Sequence, residues 1–141
     1  MTSNCRKILF LSKFSKELNR WTKSSTLKTK ADPQVIFIEL CLMLLKDGGR
    51  LGIVLPEGIF GNKSNGYVWD FLRDNGTITG LLDCPRTTFQ PSTDIKTNVL
   101  FFQKGKNIKD SKAKIAVALN CGHDRRGRNI DSNGNLHKND F

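Results

Sequence analysis

The chain has 141 residues, enough for one domain and hardly two; 38% are hydrophobic and 26% charged, which allows a modest core and excludes compositional disorder. A net charge of +10 points to a polyanionic partner, nucleic acid before an anionic membrane. The longest unbroken apolar stretch, Leu40 to Leu45, is far too short to span a bilayer, and the first residues lack a secretory apolar segment, so a cytoplasmic protein with no membrane partner is expected.

The first 30 residues read as a basic flank, with eight Lys/Arg against Glu17 alone. Ile8-Leu-Phe-Leu11 is the one apolar cluster there, and neither a strand nor a glycine-rich loop is predicted in it. Asp32-Pro33 then opens a helix: Asp is a good N-cap, and Pro suits a first turn whose N–H has no partner to lose. Val35 to Leu45 is apolar except for Glu39, so this helix is expected to be buried on most sides, and Lys46-Asp-Gly-Gly49 closes it. Arg50 to Leu55, ended by Pro56, reads as a buried strand of the kind found inside parallel sheets. A Gly- and Asn-rich loop leads to a helix over Tyr67 to Asn75, with Val68, Phe71 and Leu72 on one face and Gly76 as its stop. Strands are predicted over Thr77 to Cys84 and Asn98 to Gln103, separated by a loop from Pro85 to Thr97. After a charged connection, Lys104 to Lys112, the alternation Ile115, Val117, Leu119 predicts a fourth strand with one wet face. Beyond Cys121 the chain is Asn-, Gly- and Arg-rich and reads as irregular.

The order helix–strand–helix–strand–strand is half of a doubly wound α/β sheet. Three regions follow: a basic N-terminal flank (1–30), a partial domain (31–119) and a polar, basic tail (120–141). The charge is concentrated at the ends, net +7 in residues 1–30 and +5 in residues 104–141, around a middle of net −2. A basic flank reads either as a solvated end or as a phosphate-contacting surface, and charge alone slightly favours the first.

Few motifs carry chemistry by themselves. Cys5, Cys41, Cys84 and Cys121 form no C-x-x-C pair, and Cys121-Gly-His123 has no second ligand pair, so no metal site is expected. Gly58-Ile-Phe-Gly61-Asn-Lys63-Ser64 lies where a phosphate loop would, but its spacing fails the G-x-x-x-x-G-K-[ST] pattern. His123 and His137 read as surface residues, and Asp70, Asp74 and Asp83 as carboxylates near element ends without a special role.

One constellation is more specific. Ala31-Asp-Pro-Gln-Val35 through Lys46-Asp-Gly-Gly-Arg50-Leu-Gly-Ile-Val-Leu-Pro56-Glu-Gly-Ile-Phe-Gly-Asn62 resembles the amino-methyltransferase domain of type I restriction–modification methylation subunits. The likeness continues through Phe71-Leu-Arg-Asp-Asn75 and Leu82-Asp-Cys-Pro85-Arg-Thr-Thr-Phe89-Gln-Pro-Ser-Thr93-Asp-Ile-Lys96-Thr97 to Lys104, with a weaker echo at Gly122-His-Asp-Arg-Arg-Gly127-Arg128. It covers about residues 31–130. The resemblance implies a Rossmann-like methyltransferase that makes N6-methyladenine in DNA from S-adenosylmethionine.

The family's glycine-rich donor loop and its Asn-Pro-Pro-aromatic catalytic motif, which precede the helix that starts here at Asp32, do not occur in this chain. The chain therefore resembles the back half of such a domain, and alone it is expected to be inactive and not to bind S-adenosylmethionine. No catalytic or donor-binding residue is assigned within it. The partners implied are DNA, the missing N-terminal half, and specificity and restriction subunits. For substrate binding the resemblance singles out Phe89 as a wall of the pocket for a flipped base, with Lys96 and Thr97 holding the loop or a phosphate. Phe89 packing its loop onto the core is an equal alternative. For the whole chain the rival is a non-catalytic, basic DNA-binding or assembly subunit.

Overall fold

The structure is a computed structural model that describes residues 12–18, 20–23, 32–105 and 112–141. Most of the basic flank, its apolar cluster at Ile8–Leu11 and most of the charged connection after Lys104 lie outside the described residues. Within the flank, β1 (Ser12–Ser15) and β2 (Arg20–Lys23) pair antiparallel, Ser12 opposite Lys23 and Ser15 opposite Arg20. This corrects the expectation of no strand there. Phe14, Trp21 and Thr22 are good strand formers, and the intervening Ser and Lys residues hide them from a search for apolar runs. Ser15 Oγ accepts from Leu18 N (3.3 Å) and tightens the turn.

Helix α1 (Pro33–Leu44) starts as its punctuation predicts, with the Asp32 carboxylate accepting from Gln34 N at 3.0 Å. β3 (Arg50–Pro56) leads into a short helix α2 (Glu57–Gly61), then α3 (Gly66–Asn75), β4 (Gly76–Asp83), β5 (Thr97–Lys104) and β6 (Lys114–Val117). The four strands β3 to β6 form one sheet in the order β3-β5-β4-β6. β4 and β6 are parallel, but β5 runs antiparallel to both β3 and β4. β3 is thus not flanked by parallel neighbours as its apolar run suggests. The loop after β4 reverses the chain and inserts β5 between two strands that themselves run the same way. Gly76 is required where β4 begins, because a Cβ there would meet Phe102 Cζ at 2.5 Å and the backbone carbonyl of Gln103 closer still.

The core lies on one face of this sheet. Val35, Ile38 and Leu42 of α1 and Val68, Phe71 and Leu72 of α3 pack there against Ile53, Leu55, Leu100 and Phe102. Complete burial of these aliphatic and aromatic side chains contributes roughly 1.5–3 kcal/mol each. α1 is buried along one stripe only, which corrects the expectation of burial on most sides. Phe37, Leu40, Met43 and Leu44 are exposed because none of the described residues covers that side. The same reason applies at β6, whose four residues are all exposed; Ile115, Val117 and Leu119 form no dry face as their alternation predicts, and Ala118, just past the strand, is buried instead. Among the described residues no helix is long and apolar enough to cross a membrane.

The tail is ordered without being regular. Bridges Cys121–Asn139 and Ile130–Leu136 fold it back on itself, and Asp140 Oδ2 accepts from the backbone N–H groups of Leu119 and Asn120, both at 2.9 Å.

Candidate functional site

Because β3 and β4 run parallel, their C-terminal ends lie together, and β5 starts between them. Open α/β sheets commonly place ligand sites at such strand ends. The backbone stitches this end closed: Glu57 N–H donates to Lys96 O (3.0 Å) and Cys84 N–H to Thr97 O (3.3 Å). Lys96 Nζ sits between two carboxylates, 3.0 Å from Asp83 Oδ1 and 3.4 Å from Glu57 Oε1. The hydrogen bond to Asp83, reinforced by the one to Glu57, raises the Lys96 pKa above its ordinary value, with partial desolvation opposing. The Asn98 amide, turned so that its nitrogen faces acceptors, donates to Asp83 Oδ1 (2.6 Å) and Thr97 O (2.9 Å). Asp83 is therefore the hub of this strand end, which corrects its reading as a carboxylate without a role. Glu57 and Asn98 were equally inconspicuous in the sequence, where they lie 39 residues before and two residues after Lys96. A carboxylate at each of two parallel strand ends, facing a lysine before the next strand, is the only signal available.

The loop between β4 and β5 carries Phe89 at the end of a short 3-10 turn, Arg86–Phe89. Thr88 braces the turn by donating from both N and Oγ1 to Pro85 O, at 3.0 and 2.7 Å. Phe89 O accepts from Thr93 N (3.1 Å), and Gln90 Nε2 donates to Asp94, closing the loop. The Gln90–Pro91 peptide is cis. Phe89 is 41% exposed, so it does not pack fully into the core. Ile95 is exposed on the same loop. Lys96 and Thr97 are neighbours at the far foot of the loop; Lys96 is held by its carboxylates and Thr97 is buried. Thr97 Oγ1 and Gln90 Oε1 are buried with no hydrogen-bond partner among the described residues. Burial pushes the neighbouring Cys84 thiol upward in pKa, with the Asp83 charge adding to it, so this cysteine is a poor nucleophile.

The tail packs on this loop. Cys121 Sγ lies 3.1 Å from Thr87 Oγ1, and His123 Nε2 lies 3.4 Å from Thr88 O. His123 is thus half-buried rather than a surface residue, and His137 is half-buried too. Both rings lie in a tail whose fold the composition conceals.

The chain is similar to the type I restriction enzyme EcoEI methylase subunit of Escherichia coli, 36% identical over 76 residues, which are 53% of this chain and 16% of that protein. It is similar in structure to a protein from Listeria monocytogenes assigned as a class I S-adenosylmethionine-dependent methyltransferase, with a TM-score of 0.51 and 27% identity over 58% of this chain and 25% of the other. A modification subunit assigned to a type I restriction enzyme of Vibrio vulnificus YJ016 overlaps 74% of this chain and 21% of its own, with 22% identity and a TM-score of 0.47. The chain thus spans a small part of the length of each relative it matches. The Listeria likeness supports the Rossmann-like α/β methyltransferase fold, half of which was expected from the element order. The N-6 DNA Methylase family model matches residues 9–138, nearly the whole chain and every strand described above, so the chain belongs to the N-6 DNA Methylase family.

Proposed function

We propose that this chain forms the base-receiving side of an adenine-N6 DNA methyltransferase in a type I restriction–modification methylation subunit. Its partners are DNA, the portion of the domain that supplies donor binding and amine polarisation, and the specificity and restriction subunits. One observation carries the reading: the exposed Phe89 ring stands on a braced loop at the C-terminal end of the sheet, where a flipped base could stack on it. Lys96 and Thr97 at the foot of the loop then fix its position. Thr97 Oγ1, buried without a partner, is the atom there with unspent hydrogen-bonding capacity.

The methyl donor of this reaction is S-adenosylmethionine. The described residues do not fit its binding. The two strand-end carboxylates that could take a ribose hydroxyl, Glu57 and Asp83, are both engaged by Lys96. Donor binding is therefore assigned to the rest of the domain.

The test is the Phe89 series in the assembled enzyme, with the upstream half restored in cis or in trans. Stacking on an aromatic ring contributes roughly 1–3 kcal/mol per base. Phe89→Ala is expected to cut methylation while the melting temperature holds, and Phe89→Tyr to retain most activity. Parallel loss of stability and activity in Phe89→Ala, with Phe89→Leu tolerated, would return Phe89 to a packing role.

A further inference from the structure

The tail contains the same turn twice. Asp124-Arg-Arg-Gly127-Arg128 and Asp131-Ser-Asn-Gly134-Asn135 are both Asp-x-x-Gly-x. In each, the aspartate carboxylate accepts from the backbone N–H groups two and four residues on, at 2.8 and 2.9 Å. In each, the glycine has a positive φ, +76° and +84°, which only glycine adopts without strain. The second turn closes the same backbone around Ser132 and Asn133. The geometry therefore does not need arginines at its tip.

The first turn differs in what it carries and in what it touches. Arg128 is spent inside it, with Nε and Nη2 at 2.8 and 2.7 Å from Asp124 Oδ2. Arg125 and Arg126 are exposed, and among the described residues neither forms an ion pair. Gly127 is pressed against the loop that bears Phe89: a Cβ on it would lie 3.1 Å from Pro91 Cδ, whereas Gly134 faces open space. The contacts of Cys121 and His123 with Thr87 and Thr88 hold the first turn to the same loop. Arg86, on the 3-10 turn itself, is also exposed and outside any described ion pair.

We infer that Arg125 and Arg126, with Arg86 on the 3-10 turn that this tail packs against, form a phosphate-binding patch that grips the DNA backbone next to the base received at Phe89. This rests on the methyltransferase reading and adds to it a surface that positions the strand without reading its sequence. Guanidinium groups suit the role because their planar fork matches phosphate oxygens, and the Asp124 hydrogen bonds fix the backbone from which they project. The two uncharged tip residues of the twin turn are the internal contrast.

The experiment measures binding of the full chain to a fluorescein-labelled duplex by anisotropy across a salt series. The Arg125→Gln/Arg126→Gln double variant is expected to lower the slope of log affinity against log salt by about 2, since each phosphate contact contributes about 0.9. Lys46→Gln/Arg50→Gln removes the same charge at the opposite end of the sheet and should change the slope by much less. In the assembled enzyme the arginine double variant should raise the KM for DNA and leave kcat nearly intact. An unchanged slope, or an equal fall in both double variants, overturns the patch. If the patch fails while Phe89→Ala still cuts methylation, the base-wall reading stands; failure of both removes the two together.

Discussion

Lys104, the last residue of β5, donates from Nζ to Leu42 O at 2.8 Å and Leu45 O at 2.6 Å, whereas Lys96, just before the start of the same strand, lies between the carboxylates of Asp83 and Glu57. At the Lys104 end the cation meets neutral carbonyls left over at the C-terminus of α1, where the helix dipole also favours positive charge. The turn after that helix is tied to β5 as well, by Gly48 N to Lys104 O and Lys104 N to Gly49 O, both 2.9 Å. No acid takes part. The Lys96 end adds carboxylates to its backbone hydrogen bonds: Asp83 and Glu57 with Lys96, Asp94 with Gln90, and Asp124 with Arg128 on the packed tail. One end of the strand is fastened by contacts that do not titrate in the acid range, and the other by contacts that do. The exposed ring, the orphaned hydroxyl and the free arginines all belong to the ionic end.

The largest effect should come from removing the cap at the first end. Lys104→Met keeps most of the apolar stem but leaves two carbonyls without their donor. Hydrogen bonds to a charged group contribute about 1.5–3 kcal/mol, so a loss of about 2 kcal/mol is expected in urea unfolding. Methylation by the assembled enzyme should fall only in step with the folded fraction. A specific loss of activity in this variant would mean that the two ends are not functionally distinct.

Lys96→Met should do the reverse, with a smaller shift in unfolding midpoint and a larger fall in methylation. Its pH dependence is specific. The Lys96 pKa is raised above its ordinary 10.5 in the folded state, so the stabilisation is fully present below 10.5 and is lost as pH climbs through the raised value. The midpoint difference between the native chain and Lys96→Met should stay level from neutral pH to about 10 and close above it. A difference that instead closes near neutral pH would assign it to another group.

The two ends also differ in how far the sequence reveals them. Asp32-Pro33 before an apolar run marks the start of α1 because capping is local, and β4 and β5 stand out because apolar residues run between turn signals. Sheet order is not local. Nothing near Arg50 announces that its partner will be Gln103, or that β5 will separate β3 from β4. The two lysines show the same limit. Gly48 and Gly49 point to a helix end, but the basic residue that satisfies it is Lys104, not the adjacent Lys46. Phe89, Lys96 and Thr97 are singled out by the family resemblance alone, whereas Asp83 and Glu57 acquire meaning only when folding brings two strand ends together. The Asp-x-x-Gly repeat, seven residues apart, could have been read directly, since aspartate and glycine at that spacing specify a turn by their own chemistry.

The smallest effect lies in acid, and it separates the ends without mutation. Asp124 accepts backbone hydrogen bonds from Arg128 and Arg126 and pairs with the Arg128 side chain, which lowers its pKa from 3.8 to about 2. A depressed carboxylate contributes stability that is present above its unfolded value and lost as pH falls through the folded one, so the window runs from about 4 down to about 2. Within it the amide protons of Arg126 and Arg128, which donate to this carboxylate, should lose protection from hydrogen exchange. Those of Gly48 and Lys104 donate to carbonyls and should keep theirs until the chain unfolds as a whole. Exchange rates by NMR, corrected for their intrinsic pH dependence, compare the four amides in one sample. Asp124→Asn should remove the pH dependence at Arg126 and Arg128 and leave Gly48 and Lys104 unaffected. If all four amides open together in the native chain, the carboxylate turn is no weaker in acid than the carbonyl-bound end, and the division along β5 does not extend to its tail.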